Sequence, residues 1–170
     1  MVTLRDAQAR RTARMIQNRQ KKYDMTEKRA SEEVMIENMI SWAQSRMVDR
    51  SYAGWCLSFI EDALEQSNEI EIFGGDSAKE SGELYSDALR TGVPEKGAFV
   101  FYDCLCLSED GPVNWGHCGI ALEDGNVIHA WDQVRIDEYR AIEQLAALTG
   151  DHPRYIGWVP IARVLAQKEE

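Results

Sequence analysis

A helical repeat of apolar residues marks the first half of the chain. Met35, Met39 and Trp42 recur at the spacing of one helix face, which predicts a helix from Ser31 to Met47. A hydroxyl at Ser31 followed by two glutamates suits the first turn of that helix. The preceding Arg/Gln/Ala-rich residues 1–25 have few apolar positions, so we expect them to form a poorly packed arm.

A second helix is predicted to begin at Cys56. Leu57, Ile60 and Leu64 lie on one face of it, beside Phe59 and Ala63. The Gly-Gly-Asp segment at 74–76 then interrupts the pattern, and residues 77–89 form a weaker third helical repeat. The first half of the chain is therefore predicted to be helical.

The period changes to two from Gly97 onward, which predicts strands. Glu123-Asp124-Gly125 separates two of these strands as a hairpin turn would. A short helical stretch is predicted at 141–148. Helices followed by an antiparallel sheet of five or six strands make an α+β fold. The predicted strands are 97–107, 117–122, 126–131, 134–139 and 155–161.

Composition and charge narrow the function classes. No apolar stretch approaches the ~20 residues of a membrane helix, and the N-terminus does not resemble a secretory signal. We therefore expect synthesis in the cytoplasm, with release by lysis, in a phage particle or by another secretion route. Residues 1–30 hold nine Lys or Arg and three Asp or Glu, a net charge of +6, whereas the whole chain has −10. A strongly acidic body argues against nucleic acid as a partner, and 1–30 is predicted to be a basic helical arm.

Four cysteines occur, and their spacing does not predict a disulfide framework. A zinc site from Cys104, Cys106, Cys118 and a histidine is disfavoured. Cys118 follows His117 directly, so on a strand the two side chains point to opposite faces. We expect neither a metal nor another cofactor.

Cys56, His117 and His129 are the main candidates for chemistry. A thiol at a helix N-terminus is acidified by the unpaired backbone N–H groups and the helix dipole. His117 and His129 lie on neighbouring predicted strands, where one imidazole could serve as a base and the other could orient it. This pattern predicts a nucleophilic cysteine whose pKa lies well below the ~8.5 of a free thiol.

Three segments resemble the NlpC-like cysteine peptidases, which are papain-like bacterial cell-wall hydrolases. They are Tyr-Ala-Gly-Trp-Cys-Leu-Ser-Phe-Ile, Pro-Glu-Lys-Gly-Ala-Phe-Val-Phe-Tyr-Asp, and Gly-His-Cys-Gly-Ile-Ala-Leu-Glu-Asp-Gly-Asn-Val-Ile-His-Ala. The resemblance covers residues 33–165 and is strongest to the single-domain members of phages and lysins. It implies a peptidase domain over 31–170, with a papain-like fold.

The resemblance also implies roles. Cys56 would be the nucleophile, His117 the general base and His129 the residue that orients His117. The substrate would be a peptidoglycan stem peptide, cut beside D-glutamate and the diamino acid through an acyl-enzyme. The family usually has Asp before the nucleophile, to bind the substrate's amino terminus. This chain has Trp55 there. Tyr52 is the candidate for the tyrosine that family members place near the substrate.

Trp55, Trp115 and Trp131 flank the three candidate catalytic positions. They predict a substrate cleft lined by aromatic side chains, although tryptophans in a domain are more often core or rim residues. Two other functions remain open from the sequence. The chain could be an antibacterial effector with the same chemistry, neutralised by an inhibitor or immunity protein. It could also be a non-catalytic wall-binding or assembly module.

Overall fold

The computed structural model describes the backbone of residues 4–147 and 151–166, and the side chains of 13–147 and 151–166. The chain consists of two compact units, Met1–Val34 and Met35–Glu170. The helices are α1 (Leu4–Ser45), α2 (Cys56–Asn68), α3 (Ala78–Leu84) and α4 (Ile161–Leu165). The strands are β1 (Phe99–Asp103), β2 (Leu105–Ser108), β3 (Gly111–Asn114), β4 (His117–Ala121), β5 (Asn126–Ala130), β6 (Val134–Glu138) and β7 (Arg154–Val159).

α1 is one continuous helix, so the predicted helix start at Ser31 is wrong. The residues before Ser31 are rich in Arg, Lys, Gln and Ala, which have high helix propensity, so the helix already extends through them. Side chains of residues 13–31 are exposed. Burial begins in the last turns of α1, where Met39, Ile40 and Ala43 enter the core of the second unit.

The second unit is α+β, with its main helices preceding a five-stranded antiparallel sheet in the order β6-β5-β4-β1-β7. β4 lies at the centre of the sheet because it pairs with β1 on one side and β5 on the other. β5 and β6 form the next antiparallel pair outward, with His129 opposite Arg135. The two candidate histidines lie on neighbouring strands, His117 on β4 and His129 on β5.

Both faces of the sheet are covered, which explains why β1 is an apolar run and not an alternating one. Phe99, Phe101 and Cys118 pack on the α2 side, with Leu57, Phe59, Ile60, Ala63 and Leu64 of the helix. Val100 and Tyr102 face a second cluster formed with residues such as Ile142, Tyr155 and Trp158. Adjacent strand residues thus lie in different layers.

Two further predicted elements, both in the second half of the chain, differ from the structure. The strand over 97–107 is divided at Cys104, whose backbone N–H donates to the Asn114 side-chain oxygen at 2.9 Å. That bond ends β1, and β2 pairs instead with β3 in a separate two-stranded sheet. The predicted helix over 141–148 is only a 3₁₀ turn at Ala141–Gln144, and residue 148 lies outside the described residues.

Candidate active site

Cys56 is the first residue of α2 and is partly exposed. The residue before it, Trp55, occupies the N-cap position but provides no side-chain hydrogen bond to the helix. The first backbone N–H groups of a helix have no partner within the helix. The Cys56 thiol therefore lies beside uncapped donors, where the helix dipole favours negative charge.

His117 is the first residue of β4, and only 3% of its surface is exposed. The turn that precedes it requires Gly116, which has φ of +71°. A Cβ on Gly116 would lie 2.6 Å from the Lys79 backbone nitrogen, and that nitrogen donates to the Trp115 carbonyl at 2.9 Å. The N-terminal part of α3 is thus held directly against the segment that leads to His117.

His129 lies in β5, fully buried, and its Nδ1 is 2.8 Å from His117 Nε2. The rings are nearly perpendicular, at 79°, with centroids 4.9 Å apart. Gly119 creates the room for this contact. A Cβ on Gly119 would lie 2.9 Å from His129 Cβ and 2.5 Å from a methyl group of Val127. Glycine is therefore required at two positions around His117 for different reasons: Gly116 forms the turn before it, and Gly119 leaves space for His129.

The pKa of the Cys56 thiol is well below that of an ordinary cysteine, in the direction that the sequence predicts. The largest cause is a hydrogen bond from the Cys118 side chain, which stabilises the thiolate. Burial opposes the shift, whereas the charge of His117 and a hydrogen bond with it lower the pKa further. The His117 imidazole therefore lies close enough to the thiol to influence its charge.

Cys118 is a second thiol at the site. It is fully buried on the α2 side of the sheet, and its pKa is raised by burial and by the Cys56 sulfur. A neutral Cys118 S–H can donate to the Cys56 thiolate, and the Cys118 backbone N–H adds a further bond. His117 and Cys118 face opposite sides of β4, yet Cys56 interacts with both. All four cysteines of the chain are free.

Trp131 contacts His117. Their ring centroids are 5.0 Å apart at an interplanar angle of 90°, and the Trp131 carbonyl accepts from the Gly54 N–H at 3.3 Å. Trp55 and Trp115 are 66% and 47% exposed. These large exposed apolar side chains adjoin Cys56 and His117 in the sequence. Their role in substrate binding remains a prediction.

Tyr52 is held by groups of the protein itself. Its hydroxyl donates to Asp62 Oδ2 at 2.6 Å, and its ring packs edge-on against Phe59 with centroids 5.4 Å apart. Burial is the largest cause that raises the pKa of Tyr52, to about 12. The Tyr52 phenol thus stays protonated at neutral pH, with its proton donated to Asp62.

Sequence reasoning did not find Asp137 and Arg135 of β6. Asp137 Oδ2 lies 3.0 Å from His129 Nε2, and Arg135 bonds both oxygens of the same carboxylate. The alternation of polar and apolar residues in this strand predicts only that Asp137 is solvent-exposed, like other polar residues of an outer strand. The signal that could have found it is its spacing, since a hairpin that pairs His129 with Arg135 places Asp137 on the same face.

Metal-ligating side chains do not converge in the part of the chain that the structure describes. Within 13–147 and 151–166, no group of three or more His, Cys, Asp or Glu residues is arranged to hold a metal ion. Among the same residues, no helix is both long and apolar enough to span a bilayer.

Comparison of the sequence with models of known protein families gives no match, and no curated protein matches it. The geometry of Cys56, His117 and His129 is consequently the main basis for the function that we assign.

Proposed function

We propose that the chain is a cysteine peptidase with a papain-like fold of the NlpC type, and that it hydrolyses peptidoglycan stem peptides. The observation that carries the proposal is the convergence of three side chains from α2, β4 and β5. His117 lowers the pKa of the Cys56 thiol, and His117 Nε2 is hydrogen bonded to His129 Nδ1. An acidified thiol beside an oriented imidazole is the arrangement that amide cleavage through an acyl-enzyme requires.

The reaction follows from these positions. Since His117 Nε2 is occupied by His129, Nδ1 is the His117 atom that exchanges a proton with Cys56. The Cys56 thiolate attacks the amide carbonyl carbon and forms a C–S bond. His117 then protonates the amide nitrogen, the C–N bond breaks, and the amine leaves. Water, deprotonated by His117, attacks the thioester and releases the carboxylic acid and the Cys56 thiolate.

Negative charge that develops on the carbonyl oxygen would be held at the start of α2. The backbone N–H of Cys56 is among the donors that the helix leaves unpaired, and Trp55 does not cap them. Donors that are already in place stabilise the tetrahedral intermediate without reorganisation.

The choice of substrate rests on the resemblance of the three segments to the NlpC-like peptidases. Trp55 replaces the aspartate that would bind a free amino terminus, so recognition by charge is lost at that position. Trp55 and Trp115 instead offer exposed indole surface in the segments that lead to Cys56 and His117. We expect apolar contacts with the peptide or its attached sugar to contribute most to binding.

The test is cleavage of purified muropeptides, with products identified by mass spectrometry. Wild type should release fragments that differ by one hydrolysed amide bond. Cys56→Ala should reduce the rate by ~10⁴-fold or more, because the nucleophile is lost. Cys106→Ala is the matched control, since Cys106 is also partly exposed but lies in the separate hairpin. It should keep the full rate.

Intact muropeptides after prolonged incubation with folded wild type would refute the proposal. Retention of muropeptides by wild type and Cys56→Ala alike, without any change of mass, would identify a binding module instead.

A further inference from the structure

The two candidate histidines belong to a longer chain of hydrogen bonds that ends at an acidic residue. His117 Nε2 is 2.8 Å from His129 Nδ1, and His129 Nε2 is 3.0 Å from Asp137 Oδ2. Both imidazoles are buried, whereas the Asp137 side chain is 19% exposed. The chain therefore runs from the sheet interior at β4, through β5, to a carboxylate on β6.

The direction of each hydrogen bond in this chain is determined. An ionised carboxylate only accepts, so His129 Nε2 must carry a proton. Burial is the main cause that lowers the pKa of His129, to about 4, so this ring is neutral near pH 7 and its Nδ1 has no proton. His129 Nδ1 can then only accept, and His117 Nε2 must donate to it.

The position of the proton on His117 follows. With a proton required on Nε2, a neutral His117 has a free electron pair on Nδ1, and that pair is available for the proton of Cys56. The opposite tautomer would bring two lone pairs together at His117 Nε2 and His129 Nδ1. Asp137 therefore acts on the thiol through two imidazoles.

Arg135 holds the Asp137 carboxylate, at the end of this chain of hydrogen bonds, in one orientation. Its Nε donates to Asp137 Oδ2 at 2.6 Å and its Nη2 to Oδ1 at 3.0 Å, a two-point contact that holds the carboxylate plane. The pKa of Asp137 is lowered to about 2, first by its bond with His129 and then by Arg135. Asp132 contacts Arg135 from outside, at 3.5 Å, and is 64% exposed.

We propose that Asp137, clamped by Arg135, is a positioning residue that sets the tautomer of His129 and, through it, that of His117. This inference deepens the proposed function and rests on it for its catalytic meaning. Its structural content, the proton positions on two imidazoles and the acidity of one thiol, can be measured without a substrate.

The experiment compares wild type, Asp137→Asn and the matched control Asp132→Asn. The pH profile of iodoacetamide alkylation is followed on the Cys56 peptide by mass spectrometry, and ¹⁵N NMR reports the ring tautomers. The other groups that titrate or carry charge in or beside this chain of hydrogen bonds are His117, His129, Arg135, Tyr102 and Cys118. These are identical in all three proteins.

Asp137→Asn should raise the pH midpoint of alkylation by about one unit, which is about a tenfold loss of thiolate at pH values below the wild-type midpoint. The ring signals should lose the single tautomer of wild type. Asp132→Asn should match wild type in both measurements. On muropeptides, Asp137→Asn should lower kcat by ~10²-fold or more with little change in KM, as expected when an imidazole adopts the wrong tautomer. An unchanged midpoint and unchanged tautomers in Asp137→Asn would overturn the inference.

The outcomes separate this inference from the proposed function. A shifted midpoint without muropeptide cleavage by wild type would support the positioning role and refute the peptidase. Cleavage at the wild-type rate by Asp137→Asn would support the peptidase and refute the positioning role. If Asp137→Asn does not fold, Arg135→Gln removes the clamp and keeps the carboxylate, and it should shift the midpoint in the same direction by a smaller amount.

Discussion

Gly119 controls both the stability of the sheet and the position of His129, and the substitution Gly119→Ala tests this. The added Cβ would lie 2.5 Å from Val127 Cγ1, 2.9 Å from His129 Cβ and 2.9 Å from the Ile128 carbonyl oxygen. Carbon atoms in ordinary contact are ~3.5–4.0 Å apart. Two of the three neighbours are backbone or Cβ atoms, so β5 itself must move away by roughly 0.6–1 Å.

The size of the effect follows from that displacement. Overpacking in a well-packed interior costs ~1–3 kcal/mol, and we expect about 3 kcal/mol because two of the three neighbours, His129 Cβ and the Ile128 carbonyl oxygen, cannot rotate away. At ~2 kcal/mol per molar urea, the unfolding midpoint should fall by about 1.5 M. A shift of ~1 Å in a catalytic group reduces rates by on the order of 10²-fold, so muropeptide cleavage should fall by about that factor.

Gly82→Ala is the matched control, since the Cβ at that position would meet Phe101 and Ile156 at 3.5 and 3.6 Å, which are ordinary contacts. Gly82 lies inside α3, so alanine should raise stability by ~0.5–1 kcal/mol. Both variants are compared by urea unfolding and by alkylation of Cys56. If Gly119→Ala unfolds at the wild-type urea concentration and is alkylated at the wild-type rate, the steric reasoning is wrong.

Three further predictions concern buried titratable groups. Cys118→Val removes the largest cause that lowers the pKa of Cys56, so alkylation of Cys56 should slow by about tenfold at pH values below the wild-type midpoint, and an unchanged pH profile would exclude that role. Burial raises the pKa of Glu61 from 4.5 to about 7, so the folded state loses stability as pH rises from about 4.5 to 7 and stays less stable above 7. Glu61→Gln, which can still accept from the Gly74 N–H, should unfold at higher urea than wild type at pH 8 and at the same urea at pH 4.5. Burial lowers the pKa of His129 to about 4, so the unfolded chain takes up this proton first as pH falls. The free energy of unfolding should therefore decrease by up to ~3 kcal/mol from pH 6.5 to 4. The measurement is made in the Glu61→Gln variant, because titration of Glu61 changes stability in the opposite direction. A free energy of unfolding that does not change with pH in this variant would contradict the neutral, buried state of His129.

The elements that the sequence predicts well are those whose packing is local. α2 begins at Cys56 as expected, and the apolar residues that share its predicted face are buried in a core cluster that also contains strand residues. The hairpin between β4 and β5 follows from Glu123-Asp124-Gly125, where the backbone turns at 123–125. These two features place Cys56, His117 and His129 on the elements that the sequence assigns to them.

Features that depend on side chains far apart in the chain could not be predicted from periodicity. The end of β1 is set by Asn114, which bonds the Cys104 backbone from ten residues away. The interaction of Cys118 with Cys56 joins a strand to a helix, although the residue reads only as a small core hydrophobe in the sequence. Asp137 belongs to the site because of the register between β5 and β6, which a pattern of single strands does not contain.

The uncapped start of α2 has an energetic consequence for the whole molecule. A serine or aspartate at the position of Trp55 would bond the free amides and add ~0.5–2 kcal/mol to stability. In the mechanism that we propose, the carbonyl oxygen of the substrate binds at this helix end, which a capping side chain would occupy. Under that proposal, stability and reactivity make opposite demands on residue 55, and selection for a more stable fold would tend to block the proposed oxyanion site.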